Sequence, residues 1–593
     1  MKTRSQFAAA LRILARLRAE GYEAYLAGGC VRDLVLGREP KDYDVATSAR
    51  PEVVLDLFPR TFAVGAKFGV VLVCTCGAAE LLEGNAVTEV ATFRSDGEYS
   101  DGRHPDAVRY TLSAGEDVER RDFTINGLLL DPLRGGGVLD GILAAGTEGA
   151  EKDGGSGDSC DPTLAAKTKT RRGWGTQRSL AGREASSQVP EAGAGVHGDC
   201  SFPPIPAEGA EMDGAWSGEG WTQKNNRRSF DSLRCASVAQ DDSLQEEKNV
   251  AQDDSVEGGE QLFDLCGAHS GKEKIRAAVV DYVGGLADLD AGVIRAIGRP
   301  EARFEEDHLR MLRAVRFAAR FGFEIDPGTE VAIRGLAPRI AAVSRERVRD
   351  ELTKMLTEGR ARRAFELLLA TGLLAEVLPE AARMVGVEQP PQFHPEGDVW
   401  THILLVLDQL EPGCSMTLAW GALLHDVGKP ATFSRGADRI HFNGHADVGV
   451  AIAGELCRRF RFSNEETRQI VKLVGNHMRF MDAQRMKDAT LKRFFRLGRF
   501  EEHLALHRMD CVASNGDLSN WEYALRRWQE TPEAEVRPQL LVTGRELIEA
   551  GYRPGAGFRP MLEAVEEAQL EGTIRTAEEG LKLVRERFGG PGE

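Results

Sequence analysis

The sequence predicts an α+β chain in which a small mixed sheet near the N-terminus is followed by helices alone. Three observations lead there. Short β-rich apolar runs recur at residues 25–27, 62–64, 70–76 and 87–93, in the manner of half-buried strands. From Asp281 onward strand signals almost vanish, and apolar residues recur at helical spacing. Between the two, from about Gly141 to Lys274, the chain is rich in Gly, Ser, Glu, Asp and Gln with little apolar periodicity. A length of 593 residues is too great for one core, so several domains are expected.

The N-terminal segment carries Phe7, Leu11, Leu14 and Leu17 at helical spacing with arginines between them, which predicts an amphipathic helix rather than a signal peptide. No apolar run is long enough to span a bilayer, so no membrane partner is expected. The ten cysteines lack paired metal-ligand spacing, and reduced thiols in the cytoplasm are the default. The formal net charge of −17 does not favour a chain coated in nucleic acid, but binding depends on local basic surface rather than the total.

Residues 24–47 hold the most informative stretch. An apolar run ends at Gly28 and Gly29, a short helical segment carries Arg32 and Asp33, and Asp42-Tyr43-Asp44 heads a second apolar run. Residues two apart on a strand share a face, so Asp42 and Asp44 are expected to project together with Tyr43 turned away. Paired carboxylates suit magnesium completed by water and substrate phosphates. The glycines let backbone approach a phosphate, and Arg32 can add a bidentate contact. Next, residues 51–58 read as a helix with proline at its start. Glu89, on an alternating strand position, is either a third carboxylate for the metal or a solvent-facing strand residue. Residues 94–106, RSDGEYSDGRHPD, are expected to form a mobile, strand-free loop beside the site, with an ordinary surface hairpin as the alternative.

In this order and spacing the motifs resemble the nucleotidyltransferase superfamily, class II branch, which holds tRNA nucleotidyltransferases and bacterial poly(A) polymerases. The segment Glu119-Arg120-Arg121-Asp122-Phe123-Thr124-Ile125-Asn126 is similar to a family motif, and the resemblance implies that Arg121 contacts the nucleotide. Gly127 stands where the family has alanine. Asp307, Arg310, Arg313 and Arg316, spaced by three within 301–320, are expected to wind round one helix. They resemble the family's Glu-Asp-x-x-Arg-x-x-Arg motif, here from Glu306, in which the Asp and first Arg read the base edge of the incoming nucleotide. A carboxylate accepts from an exocyclic amine, and a guanidinium donates to ring nitrogen and carbonyl. Residues 344–352 resemble the helix that buttresses this one.

A second constellation comprises His402, His425, Asp426, His445 and His477, with Asp510 beyond. The segment LLHDVGK resembles the HD-domain phosphohydrolase signature, and such a set can hold one or two divalent ions. The tail, 541–588, reads as helical with a Pro-Gly break at 552–557.

The resemblance implies a nucleotidyltransferase head at 1–142 completed by 275–296, a disordered insertion at 143–274, a helical neck at 297–380, an HD-type domain at 381–515 and a tRNA-binding tail at 516–593. The implied activity is template-independent addition of C and A to tRNA 3′ ends from CTP and ATP. In it Asp42 and Asp44 bind magnesium, Gly29, Arg32 and Arg121 hold triphosphate and sugar, Asp307 and Arg310 select the base, and Arg313 and Arg316 support the nucleotide. Poly(A) polymerase, CC-only or A-only addition share these motifs. An HD-type phosphohydrolase with a vestigial head, or a non-catalytic RNA-binding protein, are alternatives from other classes. Trp174, Trp216 and Trp221 leave open a short binding motif in the insertion, and the sequence is silent on oligomeric state.

Overall fold

The computed structural model describes residues 2–65, 69–74, 87–97, 108–132, 269–437 and 439–591, all within one compact unit. The helix Lys2–Ala19 forms as its periodicity predicts, burying Phe7, Leu11, Leu14 and Leu17. It covers one face of a seven-stranded sheet. The strands are β1 (Ala24–Ala27), β2 (Asp44–Thr47), β3 (Thr61–Gly65), β4 (Val70–Cys74), β5 (Val87–Thr92), and, after a hairpin of β6 (Arg94–Asp96) and β7 (Val108–Tyr110), β8 (Leu129–Leu130) and β9 (Val279–Val280). Their order is β3-β4-β5-β2-β1-β8-β9. The β2–β5 pair is parallel and its neighbours antiparallel, so the sheet is mixed as expected. On one face Leu26, Val45, Val71 and Val90 join the main core; on the other Ala27, Ala46, Leu129 and Phe93 meet Ala114 and Val118.

Three expectations need correction. The stretch 94–106 is not strand-free, since Arg94–Asp96 pairs antiparallel with Val108–Tyr110. The polar residues Arg94, Ser95 and Asp96 carry no apolar alternation to betray a strand. Residues 98–107 lie outside the described residues. The stretch 143–274 also lies outside them up to 268, but its end is ordered: a helix runs from His269 to Ala277. It packs against the helix Gly29–Val35, with Ile275 against the main core. That single apolar anchor in polar sequence is why composition hid it. The tryptophans Trp174, Trp216 and Trp221 lie outside the described residues as well. Finally, 301–320 is not one helix. Pro300–Glu306 and Leu309–Phe321 are separate, with Asp307 extended between them. The Asp307 carboxylate accepts the Leu309 backbone N–H at 3.1 Å, an aspartate-turn bond that competes with helical continuation.

After Val280 the described residues are helical apart from two small strand pairs, Val293–Ile294 with Glu324–Ile325 and Ser434–Arg435 with Ile440–His441. No helix among the described residues is long and apolar enough to cross a membrane. The tail forms helices Gly544–Glu549, Phe558–Leu570 and Ala577–Phe588, broken where the Pro-Gly segment was expected to break it.

Candidate functional site

One end of the sheet gathers the head's chemistry. β1 runs antiparallel to β2 and ends there. β2 and β5 both begin there, with Asp44 and Glu89 directly in register. Neighbours in register on a sheet share a face, so the two carboxylates stand side by side. Asp42 lies just ahead of β2 and is exposed, while Tyr43 is buried with its ring 5.0 Å from Phe7. Alternation therefore holds although the regular strand starts only at Asp44. Burial pushes the Cys30 thiol up to about 12, with the negative charges of Asp44 and then Asp42 adding to the shift.

Gly28 follows β1 with φ 74°, a conformation that favours glycine, and its N–H donates to Leu128 O at 3.0 Å. Its surroundings are tight too. A Cβ at Gly28 would lie 3.1 Å from Arg121 Nη1, and one at Gly29 would lie 3.6 Å from Arg32 Nη2. Two guanidinium groups thus flank the glycine pair, beside the carboxylate end of the sheet.

Each guanidinium is held from behind. Arg32, 4% exposed, donates from Nη1 to Asn126 Oδ1 at 2.5 Å and from Nε and Nη2 to Asp33. Its guanidinium carbon sits 4.6 Å from the Phe321 ring centroid. Arg121 donates to Asp117 Oδ2 at 2.9 Å and to Asn126 O at 3.3 Å. Buried Asp117 also accepts from Arg120. Sequence reasoning assigned no role to Asp117 or Asn126; only their place around the Arg-Arg-Asp segment hinted at one.

From here a polar chain crosses to the neck. Asn126 donates to Asp122 Oδ1 at 3.0 Å, and Asp122 Oδ2 accepts from Arg313 Nε and Nη2 at 2.8 and 2.6 Å. Arg310 donates to the carbonyls of Arg303 and Arg120 and to Glu306. Asp307 accepts from Arg347 at 2.6 Å. Arg316 is buried, donating to Glu351 at 2.6 Å and Glu358 at 3.4 Å, and lies 4.2 Å over the Phe317 ring. Arg347, Glu351 and Glu358 belong to or end the helix Arg345–Thr357, which thereby buttresses the arginine helix as expected. Of the predicted residues, Arg32, Arg121, Arg310 and Arg313 are linked by this network, and Gly29 lies beside Arg32. Arg316 faces the buttress instead.

Burial would raise the Asp122 carboxyl, but Arg313 and Asn126 bring it down to about 2 from 3.8. Burial likewise opposes Glu351, yet Arg316, Arg313 and Lys354 bring it to about 2 from 4.5. Both groups ionise more readily in the folded chain than in the unfolded one. Their stabilisation is therefore complete above the ordinary carboxylate range and is lost as pH falls toward about 2. Amide exchange in the Leu309–Phe321 helix is expected to accelerate as the pH drops from 5 to 2.5, beyond the change in intrinsic exchange rate.

The second constellation also assembles. His402 lies in the helix Val399–Asp408, His425 caps Met416–Leu424, His445 opens His445–Arg459, His477 follows Asn464–Asn476, and Asp510 lies in Phe500–Ala513. His402 Nε2 is 3.3 Å from His425 Nε2 and 3.1 Å from Asp510. His445 Nε2 is 3.2 Å from His477 Nε2. Asp426 stands between the two groups. Its Oδ2 is 3.3 Å from His425 and 3.8 Å from His402, and its Oδ1 is 3.5 Å from His445 and 3.7 Å from His477. Oδ1 is buried without a hydrogen-bond partner. His402–His425–Asp510 and Asp426–His445–His477 each bring their ligand atoms close enough for one ion. An orphaned carboxylate oxygen facing two imidazole nitrogens fits a divalent cation.

Lys429 and Glu396 escaped notice in the sequence. Lys429 Nζ sits 2.7 Å from Asp426 Oδ2 and from Gln389 Oε1. Burial would lower the His402 pKa, but Asp510 and Glu396 raise it to about 9. Burial and the neighbouring His425 lower His477 to about 4.

Comparison with known proteins finds matched domains over the segments that carry the two centres. Residues 24–148 match the poly A polymerase head domain, 322–384 the probable RNA- and SrmB-binding site of polymerase A, and 399–512 the HD domain. The chain is 34% identical over 322 residues to the multifunctional CCA protein of Nitrosococcus oceani, covering 52% of this chain and 76% of that one. It is 33% identical over 327 residues to the A-adding tRNA nucleotidyltransferase of Deinococcus radiodurans, covering 52% and 74%. It is 25% identical over 575 residues to the CCA-adding enzyme of Geobacillus stearothermophilus, covering 97% and 95%. The crystal structure of the Bacillus stearothermophilus CCA-adding enzyme in complex with CTP has the same fold, with a TM-score of 0.56 at 22% identity over 98% of this chain and 97% of that one. With its head motifs and its carboxylate sheet edge in place, the chain belongs to the tRNA nucleotidyltransferase and poly(A) polymerase family.

Proposed function

We propose that this chain is a template-independent nucleotidyltransferase that adds C and A to tRNA 3′ ends from CTP and ATP. The observation that carries the reading is the pair of guanidinium groups flanking Gly28 and Gly29 beside Asp44 and Glu89. A triphosphate laid over the glycines meets Arg32 on one side and Arg121 on the other, both pre-oriented by carboxylates and by Asn126. Such fixed donors cost little reorganisation when charge builds on the departing pyrophosphate. Asp42 and Asp44 would hold magnesium, a hard cation suited to oxygen donors, which supplies charge neutralisation and activation of the attacking hydroxyl.

Asp307 and Arg310 offer the acceptor and donors that a base with an exocyclic amine requires. Arg313, tied to Asp122, and Arg316, tied to Glu351, support the nucleotide by fixing the helix that carries them. In this reading residues 1–142 with 269–296 form the head, 297–380 the neck, 381–515 the HD-type domain and 516–593 a tail that meets tRNA through shape and backbone contacts. A cytoplasmic site of action goes with cysteines Cys30, Cys414, Cys457 and Cys511 outside any disulfide.

The experiment is incorporation of each nucleotide alone, and of mixtures, on tRNAs ending before, within and after CCA. CMP is expected on ends lacking C and AMP on ends finishing in CC, with no addition to a complete end. Long A tails, C alone or A alone would replace this reading by the corresponding relative's activity.

A second activity is favoured by the Asp426 centre. Its mixed nitrogen and oxygen donors suit a first-row divalent metal, and Lys429 beside Asp426 supplies a cation for a phosphate. We therefore read it as a metal-dependent phosphohydrolase site, independent of the head.

A further inference from the structure

We propose that Glu396 is a positioning residue that makes the two metal positions of the Asp426 centre unequal, the one beside His402 being the tighter. The proposal rests on reading this centre as a metal site.

All four histidines present Nε2 inward because Nδ1 is engaged behind. His425 Nδ1 lies 2.9 Å from Ala422 O, His445 Nδ1 2.9 Å from Phe442 O, and His477 Nδ1 2.6 Å from Val474 O. Each of these acceptors is a neutral backbone carbonyl. His402 differs: its Nδ1 lies 2.8 Å from Glu396 Oε1, a carboxylate. The same oxygen accepts from His394 Nδ1 at 2.8 Å, and Oε2 is buried without a partner. A carboxylate behind an imidazole fixes the Nδ1–H tautomer as a carbonyl does. It also adds negative charge along the ring, making Nε2 a better donor to a cation.

The two positions differ in their other ligands too. The first is bounded by His402, His425, Asp510 and Asp426 Oδ2, with Glu396 behind. The second has His445, His477 and the remaining Asp426 oxygen, Oδ1. Each position has three close ligands, His402, His425 and Asp510 at the first and Asp426, His445 and His477 at the second, but the first gathers three carboxylates, counting Glu396 behind and the shared Asp426, and the second only that shared carboxylate. Lys429 on the Oδ2 side opposes a cation at the first position, but one ammonium does not offset three carboxylates. The first position fills first and the second follows.

The test uses the full chain carrying Asp42→Ala and Asp44→Ala, so that the head acids bind no metal. The protein is stripped with chelator and titrated with Co2+. Visible absorption of the nitrogen-ligated ion and competition with a chromophoric chelator are read together. Two equivalents are expected, the first bound about tenfold or more tighter than the second. Adding Glu396→Gln, which keeps the shape and an acceptor but removes the charge, is expected to weaken the first step by about 10- to 100-fold and leave the second within about threefold. Adding His477→Ala is expected to abolish the second step and spare the first. Circular dichroism confirms that each variant folds. Two equal steps, an unchanged first step in Glu396→Gln, or equal weakening of both would overturn the proposal while leaving the metal site standing. A third equivalent lost with Glu396 would instead assign the ion to His394, Glu396 and His402, overturning it as well. If the starting protein binds no cobalt, the reading of the centre as a metal site fails, and the proposal with it.

Discussion

Asp44→Ala is expected to lower nucleotide incorporation by about a thousandfold or more, since loss of a metal-holding carboxylate removes several kcal/mol of transition-state stabilisation and about 4 kcal/mol corresponds to three decades. Asp44 opens β2 beside Glu89 and is only partly buried, so the fold is expected to survive. Single-turnover rates with saturating CTP, alongside circular dichroism, separate lost chemistry from lost structure. Asp42→Ala is expected to behave alike, because the buried Tyr43 between them leaves Asp42 and Asp44 on the same side of the extended chain. Glu89→Ala decides between the two roles its strand position allowed. A loss comparable to Asp44→Ala makes it a third ligand; a loss under about tenfold makes it a neighbour that shapes the edge.

The second large effect concerns Arg316. Its side chain is 6% exposed and that of Glu351 3%. Arg316→Ala leaves the Glu351 carboxylate buried with Lys354 as its hydrogen-bonded cation and Arg313 nearby, and it removes the stacking on Phe317. Breaking a buried pair from one side costs about 3–5 kcal/mol. The expected result is a lower urea midpoint for the head–neck unit, with a raised KM for both nucleotides as the Arg310 and Arg313 side chains lose their fixed helix. A variant that is as stable as the unmodified chain would show that the Arg316–Glu351 contact does not hold the neck.

Much of this site was legible because its chemistry is local in sequence. The two glycines, Arg32, Asp42 and Asp44 fall within one strand–helix–strand unit, and the histidines carry recognisable chemistry singly. What the sequence concealed is long-range or compensating. Asn126 reveals its role only when Arg32, 94 residues away, closes on it. Glu351 shows as a partner only once two helices pack, which turns Arg316 from a surface charge into a buried ion pair. Glu396 sits in a loop without periodicity, so nothing marked it as the group behind His402. The break at Asp307 escaped because its carboxylate competes for a backbone N–H, which three-residue charge spacing does not register. The helix His269–Ala277 escaped because one isoleucine anchors it.

The most direct test compares three forms on tRNA lacking its terminal CCA, with labelled CTP and ATP: the unmodified chain, Asp42→Ala with Asp44→Ala, and Asp426→Asn. The expected result is full CCA addition by the first and the third and none by the second. Addition that persists without the two head acids, or that disappears with Asp426 alone, would contradict the assignment of nucleotidyl transfer to the carboxylate edge of the sheet.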